Sequence, residues 1–224
     1  MATQRIGLIR LGAGQLPTCI VVGEVELPGH WDERPEYVTI LTAKALPLGG
    51  DLVKAKAEFI KAMGAAYAKA VANGQAWNIR WTARDTPEPI TLCDLTCDPA
   101  ARDLLPWSGG TWVIRGGRTQ SIDAGPDKII GRLNLLSDLK LRLSRKRVRA
   151  RLNNDADTQA LRNALSEAAE RPVTTDSVDS GIDLIDISSS EALAVTTALL
   201  VREALSVIPM DGGDGMDYSQ LIVG

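Results

Sequence analysis

Seven positive side chains fall within twelve positions, at Lys140, Arg142, Arg145, Lys146, Arg147, Arg149 and Arg151, and form the densest chemical signal in the chain. A nucleic-acid backbone matches such a density. Guanidinium groups offer paired donors to phosphate oxygens, and the resulting binding weakens as salt rises. Contacts of this kind hold a strand without reading it, so they carry little sequence selectivity and do not separate RNA from DNA. The plainer reading of the same run is a solvated face, or a surface for an acidic protein.

Other reactive side chains are sparse. Cys93 and Cys97 are four positions apart, so on a helix both thiols would share one face, with Cys19 and His30 available to complete a four-ligand zinc set. No close CxxC pair is present, and Asp94, Thr96 and Pro99 suit a turn or strand end, so buried or incidental thiols are the preferred reading. His30 lies in PGHWDERP beside Asp32 and Glu33, but no Ser or Cys motif supplies the nucleophile that a general base would serve. LGAG at 11–14 has Pro17 where a GxGxxG motif needs its last glycine, and GGDLVKA and RGGRTQS lack a full phosphate loop. Asp211, Asp214 and Asp217 lie among glycines without EF-hand spacing. No cofactor or metal is therefore expected, and an enzyme, metal-dependent and of unknown reaction, is the remotest alternative.

Trp31, Trp77, Trp81, Trp107 and Trp112 invite base stacking, but Trp77 and Trp81 flank Ile79 and Trp112 precedes Val113 and Ile114, which favours packing. The formal net charge of -3 hides a strong division along the chain. Residues 1–127 carry 13 basic and 14 acidic groups, 128–151 carry 9 and 1, and 152–224 carry 3 and 13, for local balances of -1, +8 and -10. Asp155, Asp157, Glu167, Glu170, Asp176, Asp179, Asp183 and Asp186 can meet the arginines of the same or a neighbouring chain. A homo-oligomer is the expected assembly. Each exposed ion pair would contribute only about 0–1 kcal/mol, so apolar burial must supply most of the stability.

The 224 residues, 45% hydrophobic, can bury a proper core, which excludes a disulfide-stapled miniprotein or wholesale disorder. The opening MATQRIGLIRLGAG lacks the pattern of a secretion signal, and three cysteines suit reduced thiols, so a cytoplasmic location is expected. No apolar run approaches the roughly 18 residues a membrane span needs.

The elements that must position these groups begin with strands. RIGLIRL, TCIVVGEVEL and YVTILTAK are short branched-rich runs, followed by helical periodicity over 51–73 with Lys54, Glu58 and Lys61 on the polar side. AWNIRWTA and GGTWVIRGG add strands, whereas 125–143 reads as a helix with Pro126 at N1 and an apolar side of Ile129, Ile130, Leu133 and Leu136. The basic run at 139–152 fits a helix or a hairpin about equally, and the alternation of Leu139, Leu141 and Leu143 tilts the reading toward a basic hairpin or extended arm. Helices follow over 155–170 and from Ser188, which has capping-box spacing to Glu191, as far as Pro209. A short strand IDLIDI precedes the second of these, and a flexible acidic tail at 209–224 follows it.

The expected fold class is α+β: a small mixed or antiparallel sheet packed by helices, with a sheet-rich body over 1–124 and an acidic helical subdomain over 125–224. The expected function is a noncatalytic, self-associating protein that contacts RNA or DNA phosphates through the basic segment. The alternative is a structural or adaptor protein that uses the same segment only to bind an acidic protein partner.

Overall fold

The computed structural model describes residues 3–11, 17–28, 34–46, 76–84, 111–115, 122–124, 127–152, 154–170 and 189–206, together with positions 54, 57, 58, 61, 68 and 72. Eight strands form one mixed sheet: β1 Thr3–Leu11, β2 Thr18–Glu26, β3 Val38–Leu46, β4 Ala76–Arg84, β5 Thr111–Arg115, β6 Ile122–Ala124, β7 Asp127–Gly131 and β8 Val148–Ala150. Their spatial order is β6-β7-β5-β4-β1-β2-β3-β8. β1, β2 and β3 run antiparallel in sequence, while β4 joins β1, β5 joins β4, β7 joins β5 and β8 joins β3 in parallel. Helices α1 Arg132–Ser144, α2 Asp155–Glu170 and α3 Ser189–Ala204 pack with the sheet, and positions 54, 57, 58, 61, 68 and 72 are also helical. The fold is α+β, as its sequence implies.

Alternation along the central strands divides the sheet into two apolar faces. Ile6 and Leu8 of β1 and Cys19, Val21 and Val25 of β2 join the core that the helices share. Ile9, Ile20 and Val22, on the opposite face, are also fully buried. The sheet takes strands from both sides of residue 124, and a single core cluster runs from Ile6 through Trp112 to Leu205.

α3 lies at the centre of the helical layer. Its residues 191–201, 203 and 204 are all buried, because it packs on β1, β2 and β3 and against both α1 and α2. A helix apolar on every side requires such encasement. The hydroxyls of Thr196 and Thr197 donate to the carbonyls of Ala192 and Leu193 at 2.7 and 2.8 Å, so their burial leaves no donor unsatisfied. Glu191 pairs with Arg132 of α1 at 3.3 Å, which joins the first turns of the two helices. Ser188 lies outside the described residues.

Two sequence expectations need correction. Residues 127–131 form β7, so α1 begins at Arg132 and not at Pro126. Ile129 and Ile130 are adjacent β-branched residues that point to opposite sides of a sheet and pair with Val113 and Ile114, a use of both faces that an amphipathic-helix reading overlooks. The basic hairpin is also replaced. Leu139 and Leu143 are one helical turn apart on the inner side of α1, whereas Leu141 is 46% exposed, so 139–144 ends a helix and only 148–150 is strand.

The helical expectation over 51–73 holds at the described positions 54, 57, 58, 61, 68 and 72, with Lys54 and Lys61 exposed. The strand at 182–187 and the tail at 209–224 lie outside the described residues.

Gly23 lies where β2 packs against α3. A Cβ there would lie 2.8 Å from Leu200 Cδ2 and 3.0 Å from Val38 Cγ2, both on fully buried side chains. Gly23→Ala is expected to lower the unfolding free energy by about 1–3 kcal/mol, measured by urea denaturation, with Gly23→Ala/Leu200→Val recovering part of the loss.

Candidate nucleic-acid interface

The basic segment is built by a helix stop, a turn and an edge strand. α1 is capped by Arg145, whose amide donates to the Leu141 carbonyl at 3.2 Å. The amide of Lys146 then donates to Leu143 and that of Arg147 to Arg142, each at 2.9 Å. This is the Schellman pattern, which calls for a left-handed residue after the cap. Lys146 fills that position at φ 56, the one non-glycine residue with positive φ among those described. Glycine would adopt the conformation freely, while a residue with a Cβ costs roughly 1–2 kcal/mol. The sequence accepts that cost and keeps an exposed lysine at the apex of the turn.

From the turn the chain enters β8 beside β3. The Val38 amide donates to the Arg147 carbonyl at 2.9 Å and the Arg151 amide to the Ile40 carbonyl at 2.8 Å, with Thr39 in register with Arg149. Val148 and Leu152 pack against the core, so the alternating Arg147, Arg149 and Arg151 project toward the opposite face of the sheet. A strand rises ~3.3 Å per residue, which spaces these guanidinium stems ~6.6 Å apart. No described strand lies beyond β8. The backbone groups of Val148 and Ala150 therefore face the open side, and Ala150 is exposed.

Six of the seven sequence-predicted residues are exposed: Lys140 on α1, Arg145 and Lys146 at the turn, and Arg147, Arg149 and Arg151 along the β8 edge. Arg142 differs from them. It is half-buried and donates from Nε to Asp138 at 2.9 Å, one turn back on α1, so its charge is already partly matched. No ion pair engages Lys140, Arg145, Lys146, Arg147 or Arg151 among the described residues.

Arg149 is held by a residue the sequence did not single out. Its guanidinium carbon lies 3.5 Å from the centroid of the Tyr37 ring, a stacked cation–π contact. The Tyr37 hydroxyl in turn bonds Glu26, whose carboxylate raises the phenol above its usual range. Nothing local in YVTILTAK signals this contact, because it arises from the parallel pairing of β3 with β8 across more than one hundred positions.

The remaining sequence candidates are placed away from this edge or outside the described residues. Cys19 is buried in the helix-side core with its thiol 3.9 Å from the Pro17 carbonyl. Trp112 is 2% exposed, in the core cluster, with Lys128 and Arg202 over its ring at 5.6 and 5.8 Å. His30, Cys93, Cys97, Trp31 and Trp107 are outside the described residues, as are the side chains of Trp77 and Trp81. No cluster of metal-ligating side chains occurs among the described residues. No described helix is long and apolar enough to cross a membrane. No protein-family model and no curated protein matches this chain.

The left-handed lysine gives a direct test of what the turn is selected for. Lys146→Gly is expected to raise the unfolding free energy by about 1 kcal/mol, read by thermal or urea denaturation.

Proposed function

We propose that this is a noncatalytic, self-associating cytoplasmic protein that contacts nucleic-acid phosphates through the α1–β8 turn and the β8 edge. The observation that carries the reading is the alternation of Arg147, Arg149 and Arg151 across β8 and the residue on either side of it, with no described strand beyond, continued by Arg145 and Lys146 at the turn. Side chains repeating every second residue of a strand track a polymer whose charges also repeat along a line. An unpaired ammonium held in a strained turn supports the same reading, since strain retained at the surface marks a position where the side chain matters more than local stability. Arg142 contributes less, because Asp138 already offsets its charge.

Self-association uses the charge division. α2 exposes Asp155 and Glu167 while Asp157 reaches Lys44 of β3 at 3.9 Å, so an acidic helix begins four residues after Arg151, the last cation of the basic strand. A neighbouring copy can place its acidic helix against this basic edge wherever nucleic acid does not occupy it. Exposed pairs of this kind are weak and screened by salt.

The test is a salt titration of oligonucleotide binding. Replacing Arg145, Lys146, Arg147, Arg149 and Arg151 by Gln is expected to weaken binding and to flatten the dependence of log K on log salt by about 0.7 for each lost single-strand contact. Binding and slope that are both unchanged in the variant would remove the phosphate-contact reading.

A further inference from the structure

Among the exposed cations of the turn and the β8 edge, Arg149 is the one with a ring contact to another described residue. The guanidinium carbon lies over the Tyr37 ring, 3.5 Å from its centroid, and Glu26 beside the Tyr37 hydroxyl raises the phenol above its usual range. Tyr37 is half-buried and Arg149 is exposed. One planar face of the guanidinium is therefore covered by the ring, while the other faces solvent. Arg147 and Arg151, one residue beyond either end of β8, flank it on the same side.

We propose that Arg149, stacked on Tyr37, is a stacking subsite for an unpaired base, so that the ligand of the basic edge is single-stranded nucleic acid. The inference rests on the phosphate-contact reading above and adds to it the class of strand. Guanidinium planes and aromatic rings both accept splayed-out bases, and the interaction tolerates any base because each has a π face. With Arg147 and Arg151, their stems ~13 Å apart, holding phosphates on either side of it, a base turned toward the sheet meets the open face of Arg149. A duplex presents the same phosphates but keeps its base faces inside the stack. The charge row therefore accepts either form, whereas the Arg149–Tyr37 platform favours the single strand.

The test compares three labelled probes of equal length by fluorescence anisotropy: a single-stranded oligonucleotide, the corresponding duplex, and an abasic strand that keeps the phosphates. The wild-type protein is expected to bind the single strand more tightly than the other two. Arg149→Lys keeps the charge but loses the plane, and Tyr37→Leu loses the ring. Both are expected to narrow the preference of single strand over duplex by roughly 5- to 100-fold. Tyr37→Phe, which keeps the ring, should restore most of what Tyr37→Leu loses. Unfolding curves for each variant confirm that the fold is intact, and Arg149→Lys, on the surface, remains informative if Tyr37→Leu does not fold.

Equal losses on single strand and duplex, or an abasic strand bound as tightly as the natural one, would overturn the stacking subsite while leaving phosphate contact standing. No binding of any of the three probes, with tight binding of an acidic peptide in their place, would overturn the phosphate-contact reading itself and the subsite with it.

Discussion

The burial of α3 on every side is the constraint from which the rest of the described fold follows. Burying an apolar helix between a sheet and two further helices is costly where a polar group goes unmatched. The Thr196 and Thr197 hydroxyls donate to backbone carbonyls and Glu191 pairs with Arg132, while the Ser190 hydroxyl is buried without a partner among the described residues. The docking of α3 against β2 needs Gly23, where a side chain would collide with Leu200. α1 is then held by Leu135, Leu136 and Leu139 in the same core. With the start of α1 fixed after β7 and its apolar side fixed against α3, the helix delivers the chain to the far edge of the sheet. The turn at Arg145 and Lys146 and the strand β8 are thus placed by a core that contains none of their charges.

The edge position explains why the charges can be so dense. An uncovered strand invites pairing with another chain, and charged side chains are a common defence against it. A second β8 laid alongside this one would set arginine beside arginine, which opposes edge-to-edge association. The same row that repels its own copy attracts a polyanion. Under the proposed function, the acidic face of α2 would be the route for contact between copies, and nucleic acid and neighbouring subunits would compete for one surface. Ionic strength would weaken both interactions.

Much of the fold was legible in the sequence where one local signal dominated. β1, β2, β3 and β5 follow from branched-rich runs between turn residues, and α2 follows from Leu161, Leu165 and Ala168 at helical spacing. The seven basic positions were legible because charge density needs no folding to be counted. What escaped was set by partners distant in sequence. Asp127–Gly131 became a strand because β5 and β6 flank it, and the basic leucine alternation became the end of a helix because α3 offered Leu139 and Leu143 a shared face. Tyr37 could not be found from its own neighbours, since its role depends on Arg149 arriving beside it.

Hydrogen–deuterium exchange with and without a single-stranded oligonucleotide tests the central claim most directly, because it locates the contact without altering a residue. Slowed exchange confined to residues 145–152 and the adjoining start of β3 is expected, with β6 and β7 at the opposite edge unchanged. Saturating binding that leaves 145–152 unprotected, or that protects the β6–β7 edge instead, would contradict the placement of the nucleic-acid contact on β8.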